Sequence, residues 1–288
     1  MAELNKEKKT EKNDKLSGFL TRFASACVLI VVGGGCVVLG NIPLAVLLTF
    51  ISVCGVFELL RVFQIEKTPL AVSAYLTTIA YDVLLYFKLY QLIMPLLIVF
   101  FLIELTLYVF LYPKYEARHV ISAIFSFIYV SVCLGYIYMI RCLDNGVLFA
   151  ILILVCTCGN DICAYGVGIL FGKHKMFPVL SPKKSVEGFV GGIVGAGILG
   201  AVYGLIFKRF ADYGDINYWL VFGIVNAIGA LPAVVGDLAA SAIKRNYGIK
   251  DYGKLIPGHG GVLDRFDSMI FTAPIIYYLV TFILKIQV

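Results

Sequence analysis

Apolar stretches, each close to 20 residues long, follow one another along almost the whole sequence. A helix of about 20 apolar residues spans the hydrocarbon core of a bilayer. Lipid offers no partner for backbone polar groups, so a spanning segment must pair its own N–H and C=O groups as a helix does. We therefore predict an all-α, polytopic integral membrane protein with about nine transmembrane helices. The stretches cover residues 19–39, 42–60, 69–87, 89–112, 119–140, 147–170, 189–207, 216–235 and 266–285.

The composition excludes a soluble fold. Of the 288 residues, 60% are hydrophobic and 15% are charged, whereas soluble domains carry about 25% charged residues. A transmembrane β-barrel would alternate apolar and polar residues in strands of about ten residues, and the long apolar stretches do not alternate. The eight cysteines include no CxxC pair and no zinc-like spacing. We expect them to be reduced thiols that behave as small apolar side chains.

The sequence divides into three parts. Residues 1–18 form a polar, charge-dense tail that we expect to be solvated. Residues 19–140 hold about five predicted transmembrane helices and carry no motif that indicates a chemical activity. Residues 141–288 hold the other predicted helices and two long polar loops, 171–188 and 236–265. We therefore expect the functional site in this third part.

The basic residues predict the orientation. With the N-terminus in the cytoplasm and nine spans, 19 of the 24 Lys and Arg residues lie on the cytoplasmic side. Membrane proteins carry such an excess in their cytoplasmic segments, and both long polar loops then face the cytoplasm. The N-terminal tail resembles neither a signal peptide nor an organelle presequence. These features favour a bacterial plasma membrane, with the endoplasmic reticulum as the alternative, and they predict that the N-terminus and the functional site are cytoplasmic.

Four aspartates lie where predicted helices meet the cytoplasmic side. Acids at membrane depth are costly and are functional-site candidates by default; the alternative is a salt-bridged carboxylate that stabilises a helix contact. Asp264 and Asp267 are three residues apart and share a helix face, and one polar loop separates them from Asp237. Converging carboxylates suit a hard cation such as Mg²⁺. We predict a metal site formed by Asp237 and Asp264, with Asp161 and Asp267 as further ligands or as their neighbours.

Helix packing accounts for other features of the sequence. Glu58 and Glu104 lie in apolar stretches without polar neighbours, and we assign them to packing or pairing between helices. A stripe of small residues at every fourth position runs along one predicted helix and allows a close approach of helices. The stripe consists of Gly188, Gly192, Ala196, Gly200 and Gly204.

Basic residues and glycines surround the predicted metal site. Carboxylates combined with Lys and Arg suit phosphoryl transfer, because metal ions bridge phosphate oxygens and cations neutralise developing charge. The alternative is the ordinary positive charge of cytoplasmic segments, which we favour for Lys173 and Lys175. Lys183 and Lys184 lie in the more specific setting SPKKSVEG, and no Walker-type GxxxxGK[ST] motif is present. Glycines at 258–261 permit positive φ and a close approach of the backbone to a ligand.

The residues from Ser241 to Asp267 read S-x-x-K-R-x-x-x-x-K-D-x-G-x-x-I-P-G-H-G-G-x-x-D-R-x-D. This run closely resembles the signature of the phosphatidate cytidylyltransferases, also called CDP-diacylglycerol synthases. One departure from the family is modest: Ser185 and Val186 stand where the family usually has Thr-Trp, which puts the local packing in question. Further blocks that resemble the family are GD at 236–237, DxxAY at 161–165, FGKHK at 171–175 and SPKKSxEG at 181–188.

The resemblance implies the reaction CTP + phosphatidate → CDP-diacylglycerol + pyrophosphate, with CTP, phosphatidate and membrane lipids as partners and no nucleic acid. It implies a magnesium cofactor, allows a second, monovalent cation such as K⁺, and implies a homodimer. His259 would donate to pyrophosphate or make a structural hydrogen bond. The side chains expected to hold phosphates are Lys183, Lys184, Lys244, Arg245 and Arg265. The residues expected to offer hydroxyl or backbone N–H groups are Ser181, Ser241, Gly260 and Gly261.

Two alternatives to this function stay open at the level of sequence. A cytidylyltransferase or CTP-dependent kinase could act on another lipid phosphate or on a polyprenol, and the apolar half of the sequence does not discriminate between these substrates. A transporter would place polar residues at mid-span in several helices and show repeated halves. The acids cluster at one side instead, which disfavours the transporter.

Overall fold

The computed structural model describes residues 24–25, 27–211, 214, 216–258 and 260–286. Among these residues, eight helices are long and apolar enough to cross a membrane, which confirms the predicted all-α, polytopic membrane fold. All eight cysteines are unpaired thiols, as expected. The helices, in chain order, are α1 (Cys27–Leu39), α2 (Asn41–Val62), α3 (Pro69–Tyr86), α4 (Ile93–Phe110), α5 (Ala117–Ser126), α6 (Cys133–Arg141), α7 (Gly146–Phe171), α8 (Val186–Phe207), α9 (Tyr218–Asn246) and α10 (Leu263–Ile283).

The spans correspond to the predicted stretches, with two local differences. The first stretch, 19–39, is described only in part, and its described part contains α1, an apolar helix shorter than the other spans. A 3₁₀ turn, Tyr90–Leu92, leads into α4 and separates it from α3. The fifth stretch forms one continuous span, Ala117–Arg141, because a π-helical segment, Phe127–Val132, joins α5 to α6.

The second polar loop is shorter than predicted, because α9 continues beyond the apolar stretch. Leu, Ala, Lys and Arg between residues 238 and 245 are good helix formers. The helix ends only before Gly248, whose φ of 65° is typical of a glycine that terminates a helix. The loop expected at 236–265 therefore spans 247–262, and Asp237, Ser241, Lys244 and Arg245 belong to a helix.

The first polar loop contains a strand pair that the sequence did not predict. Strand β1 (Lys175–Phe177) and strand β2 (Ser181–Ser185) form an antiparallel hairpin between α7 and α8. Lys175 lies opposite Ser185, and Phe177 lies opposite Ser181. The sequence of these short strands lacks the apolar–polar alternation by which strands are usually found.

Helices α7 to α10 pack side by side and form the C-terminal half of the molecule. The predicted stripe of small residues on α8 is buried along its length. A Cβ at Gly192 would lie 2.5 Å from Asn160 Oδ1 of α7, and one at Gly200 would lie 2.7 Å from Asn226 Cβ of α9. Larger side chains at these positions would push the helices apart, so the predicted packing role is confirmed.

Contacts between distant parts of the chain identify one end of the helix bundle. Ser25, just before α1, donates a hydrogen bond to the carbonyl oxygen of Pro257 at 2.9 Å. The guanidinium of Arg61, at the end of α2, donates to the carbonyl oxygen of Tyr252. The segments that the charge distribution assigns to the cytoplasm thus meet at a common end of the molecule.

Candidate active site

The hairpin carries a lysine into contact with α9. Lys184 Nζ lies 2.6 Å from Asp237 Oδ2, and the two side chains are 27% and 33% exposed. The register of the hairpin is irregular between its two pairs of opposite residues, and the preceding residue, Lys183, is exposed. The two adjacent lysines, which the sequence predicted to act alike, have different surroundings.

Polar contacts fix the hairpin to the start of α8. Ser185 Oγ accepts a hydrogen bond from the N–H of Gly188 at 3.1 Å and caps the helix. The Glu187 carboxylate accepts a hydrogen bond from the N–H of Lys173 at 3.1 Å, and Nδ1 of His174 lies 2.6 Å from it. Serine and threonine are both good helix caps, so the departure from the family motif at this position preserves the cap.

Asp264, at the start of α10, is held on both oxygens by the protein. Its Oδ1 lies 2.8 Å from Lys244 Nζ, and its Oδ2 accepts hydrogen bonds from the N–H groups of Tyr252 at 2.8 Å and Gly261 at 3.0 Å. The side chain is only 4% exposed. Asp264, which was expected to bind a metal, thus joins α9, the 247–262 loop and α10. The N–H group of Gly261, which was expected to face a phosphate, faces Asp264 instead.

Helix α9 presents its polar residues to two partners. Asp237, Ser241 and Lys244 are four and three residues apart and therefore lie on one face of the helix. Asp237 pairs with the hairpin, whereas Lys244 pairs with α10, so Asp237 and Asp264 have different partners. Arg245 is exposed and donates to the carbonyl oxygen of Ile249 at 3.3 Å.

Asp161 of α7 and Asp267 of α10 complete a cluster of acids with Asp237. The charges of Asp161 and Asp267 interact with that of Asp237 and with each other. The positive charge of Lys184 attracts the Asp161 carboxylate, and the positive charge of Lys244 attracts the Asp267 carboxylate. The site therefore gathers three of the four predicted acids, balanced by a lysine from the hairpin and a lysine from α9.

The oxygen donors of this cluster fit a hard divalent cation such as Mg²⁺, which takes carboxylate and carbonyl-type oxygens. Beside Asp161, the Oδ1 atom of Asn160 is buried and has no hydrogen-bond partner among the described residues. Within the same residues, no three His, Cys, Asp or Glu side chains are grouped closely enough to hold one metal ion. The donor atoms are of the type that Mg²⁺ takes, and both the cofactor and its ligand set stay predictions.

The other predicted site residues lie around this cluster. Arg265 is exposed on the first turn of α10, and Ser181 is half-buried at the start of β2. Gly260 has a φ of 92°, and a Cβ there would lie 3.1 Å from Asp264 Oδ2, so the position requires glycine. His259 lies outside the described residues.

Tyr252 links the loop to α9. Its hydroxyl donates a hydrogen bond to the carbonyl oxygen of Ala240 at 2.9 Å, and Lys244 Nζ lies 5.3 Å from the centre of its ring. Burial, followed by smaller effects of the neighbouring charges, raises the pKa of the Tyr252 phenol. The phenol therefore stays protonated at neutral pH and keeps its role as a donor.

The two glutamates of the N-terminal half have different roles. Glu104 accepts a hydrogen bond from Ser73, which agrees with the predicted pairing between helices. Glu58 was also assigned to packing or pairing, and it pairs with the start of α10. Its Oε1 and Oε2 accept hydrogen bonds from the N–H groups of Val262 at 3.1 Å and Leu263 at 2.9 Å. A residue of α2 therefore touches the candidate active-site loop.

Known proteins resemble this chain over about half of its length, and a family model matches almost all of it. A phosphatidate cytidylyltransferase of Staphylococcus saprophyticus is 40% identical over 163 residues, which cover 53% of this chain and 59% of that protein. One of Bacillus subtilis is 42% identical over 153 residues, covering 53% and 55%. The chain thus aligns with less than two thirds of the length of these curated relatives. The model of the "Cytidylyltransferase family" matches residues 20–283, and on this match the chain belongs to the cytidylyltransferase family.

Proposed function

We propose that this protein is a phosphatidate cytidylyltransferase, which transfers CMP from CTP to phosphatidate and forms CDP-diacylglycerol and pyrophosphate. The observation that carries the proposal is the cluster of Asp161, Asp237 and Asp267 with Lys184 and Lys244 at one end of the membrane helices. In a cytidylyltransferase family member, such a cluster suits a nucleoside triphosphate. The names of the relatives support phosphatidate as the acceptor.

The reaction needs little covalent chemistry from the protein. A phosphate oxygen of phosphatidate attacks the α-phosphorus of CTP, and the bond from that phosphorus to the bridging oxygen of the β-phosphate breaks. The lipid phosphate is already anionic at neutral pH, so no general base is required. The barrier arises largely from repulsion between two anions and from the charge that develops on departing pyrophosphate. Cations that are held in place before the reaction lower both contributions.

The two lysines near the cluster are suited to different roles. Lys184 and Lys244 are each paired with a carboxylate in the structure, at 2.6 and 2.8 Å, which fixes their side chains near the cluster. Lys184 is partly exposed, so it can exchange its bond to Asp237 for one to a phosphate oxygen. Lys244 is 12% exposed and is better suited to fix Asp264. Exposed Arg245 and Arg265 would meet the more distant phosphates.

We propose that Asp161, Asp237 and Asp267, whose charges interact, would hold magnesium after moving closer together than they lie in this structure. When bound there, Mg²⁺ would neutralise charge on the phosphates of CTP. Asp264 would hold α9, the 247–262 loop and α10 together instead of binding the metal, because its oxygens already accept three hydrogen bonds from the protein. This assignment modifies the ligand pair expected from the sequence and keeps the cofactor.

We infer that the site faces the cytoplasm at the membrane surface. CTP arrives from water and phosphatidate from the lipid leaflet, so both can reach only a site at the interface. The excess of Lys and Arg in the segments around the cluster supports the cytoplasmic side. A bacterial plasma membrane fits the bacterial origin of the relatives.

The test is an assay of the purified full-length protein with CTP, phosphatidate and Mg²⁺. We expect formation of CDP-diacylglycerol and release of one pyrophosphate per product, and absence of both refutes the proposal. Competition with an isoprenoid phosphate separates the proposal from a cytidylyltransferase for another lipid. A CTP-dependent kinase would release CDP instead of pyrophosphate, so the released nucleotide or phosphate identifies the class of reaction.

A further inference from the structure

Two carboxylates from different helices share the backbone N–H groups at the start of α10. The first N–H groups of a helix have no partner within the helix. Glu58 of α2 accepts from Val262 and Leu263 at 3.1 and 2.9 Å, and Asp264 accepts from Gly261 at 3.0 Å. Three successive N–H groups are thus satisfied, two of them by a residue about 200 positions earlier in the chain.

Arg61, on the next turn of α2, holds the other side of the same loop. Its guanidinium donates to the carbonyl oxygen of Tyr252, and the N–H of Tyr252 donates to Asp264 at 2.8 Å. The hydroxyl of Tyr252 is bonded to Ala240 of α9. The peptide groups on both sides of Tyr252 are therefore fixed by α2 and α10, and its side chain by α9.

Two glycines of the loop make room for Glu58. A Cβ at Gly261 would lie 2.6 Å from both carboxylate oxygens of Glu58, and a Cβ at Gly253 would overlap Oε1. Both glycines are buried. Their small size is thus matched to a carboxylate of this protein, and the position of Glu58 accounts for two fixed glycines of the motif at 241–267.

We propose that Glu58 is a positioning residue for the reaction. It touches no reacting group in the proposed mechanism, and it acts through the backbone of residues 261–263. Because Glu58 holds that turn, it fixes the orientation of Asp264 toward Lys244. It also fixes the orientation of Asp267, one turn further along α10, toward the acid cluster. The inference rests on the proposed function, and it assigns to α2 a role at a site whose motif lies wholly in the C-terminal half.

Glu58 can be tested against a matched buried acid. Glu104 of α4 is also buried, at 0% exposure against 4% for Glu58, and is bonded to Ser73 instead of the loop. Glu58→Gln and Glu104→Gln each replace one buried carboxylate by an amide of the same shape. Only Glu58→Gln places an NH₂ group against backbone N–H donors, so only it should loosen the loop.

Two measurements on the full-length protein in detergent decide the question. Hydrogen exchange of the peptide covering 252–263 should accelerate about 2- to 30-fold in Glu58→Gln, the range expected for loss of a helix cap. Turnover per folded protein should fall about 10- to 100-fold, as expected when a support of active-site groups is lost. The KM for CTP should change less than about threefold, because the loss is in positioning for the transition state. Glu104→Gln should change neither exchange in this peptide nor turnover.

Several outcomes would overturn the inference. The inference is wrong if Glu58→Gln has the same hydrogen exchange and turnover as the wild type. It is also wrong if exchange is faster while turnover is unchanged, because the contact would then be only structural. If Glu58→Gln does not insert, Arg61→Gln removes the second bond from α2 and should give the same pair of changes. An inactive wild-type protein would refute the proposed function, and unchanged exchange in Glu58→Gln would separately refute the contact.

Discussion

Replacement of Lys184 is the sharpest test of the site geometry, because the chain supplies its own control in the neighbouring residue. Lys183 and Lys184 are the same residue type on the same strand, yet only Lys184 meets Asp237, at 2.6 Å. Lys183 is exposed. We expect Lys184→Ala to impair the reaction and Lys183→Ala to leave it nearly unchanged.

The size of the effect follows from the kind of bond that is lost. A hydrogen bond that involves a charged group contributes about 1.5–3 kcal/mol. If Lys184 holds a phosphate in the transition state, its loss lowers kcat/KM by about 10- to 150-fold. The ion pair with Asp237 is partly exposed on both sides, so its contribution to stability is at most about 1 kcal/mol. The variant should therefore fold normally, and Lys183→Ala should change kcat/KM by less than about threefold.

The assay is the rate of CDP-diacylglycerol formation at increasing CTP concentration, with the thermal unfolding midpoint of each variant measured in the same detergent. Lys184→Arg, which keeps the charge, should retain more activity than Lys184→Ala. Equal losses in the two alanine variants would refute the assignment of a specific role to the Lys184–Asp237 contact. A loss of less than about twofold in Lys184→Ala would remove this lysine from the mechanism.

Asp264→Asn should reduce turnover by at least about 100-fold and destabilise the fold by about 3–5 kcal/mol, because it leaves Lys244 buried without its charge partner; normal turnover or an unchanged unfolding midpoint would contradict this account of Asp264. Gly261→Ala should destabilise the protein by about 1–3 kcal/mol, because the added Cβ meets Glu58 at 2.6 Å, and an unfolding midpoint equal to that of the wild type would contradict this packing. Removal of divalent metal by a chelator should abolish turnover, and Mg²⁺ should restore it; full activity in the chelator would exclude the proposed cofactor.

The membrane fold could be predicted from the sequence because it rests on a local signal. Each span carries enough apolar residues to be found by itself, and the stripe from Gly188 to Gly204 indicated the close packing of α8 through its spacing alone. The hairpin was missed because two short strands in the 171–188 segment carry no alternating pattern. The end of α9 was misplaced because hydropathy indicates only the part of a helix that lies in the membrane. The helix continues beyond that part because its residues have high helix propensity.

The sequence predicted which charged residues lie near one another at one end of the helices, and it did not predict how they pair. The acids and lysines are the expected ones, because charge next to a membrane is rare enough to stand out. Their partners depend on how the helices pack. Lys184 pairs with Asp237 and Lys244 pairs with Asp264, so the two aspartates that were expected to act together have different partners. The contact of Glu58 was missed for the same reason, although its position three residues before Arg61, beside a loop predicted to be cytoplasmic, was a signal that could have been followed.

The contact of Glu58 with Val262 and Leu263 also bears on the order of assembly. Helix α2 is synthesised early and α10 is the last of the described helices, so the carboxylate enters the membrane long before its amide partners exist. A carboxylate without partners is costly in lipid, and the contact has a large sequence separation. The active-site loop can therefore close only after the last helix has inserted, and a chain that stops before Leu263 carries an uncompensated acid in α2.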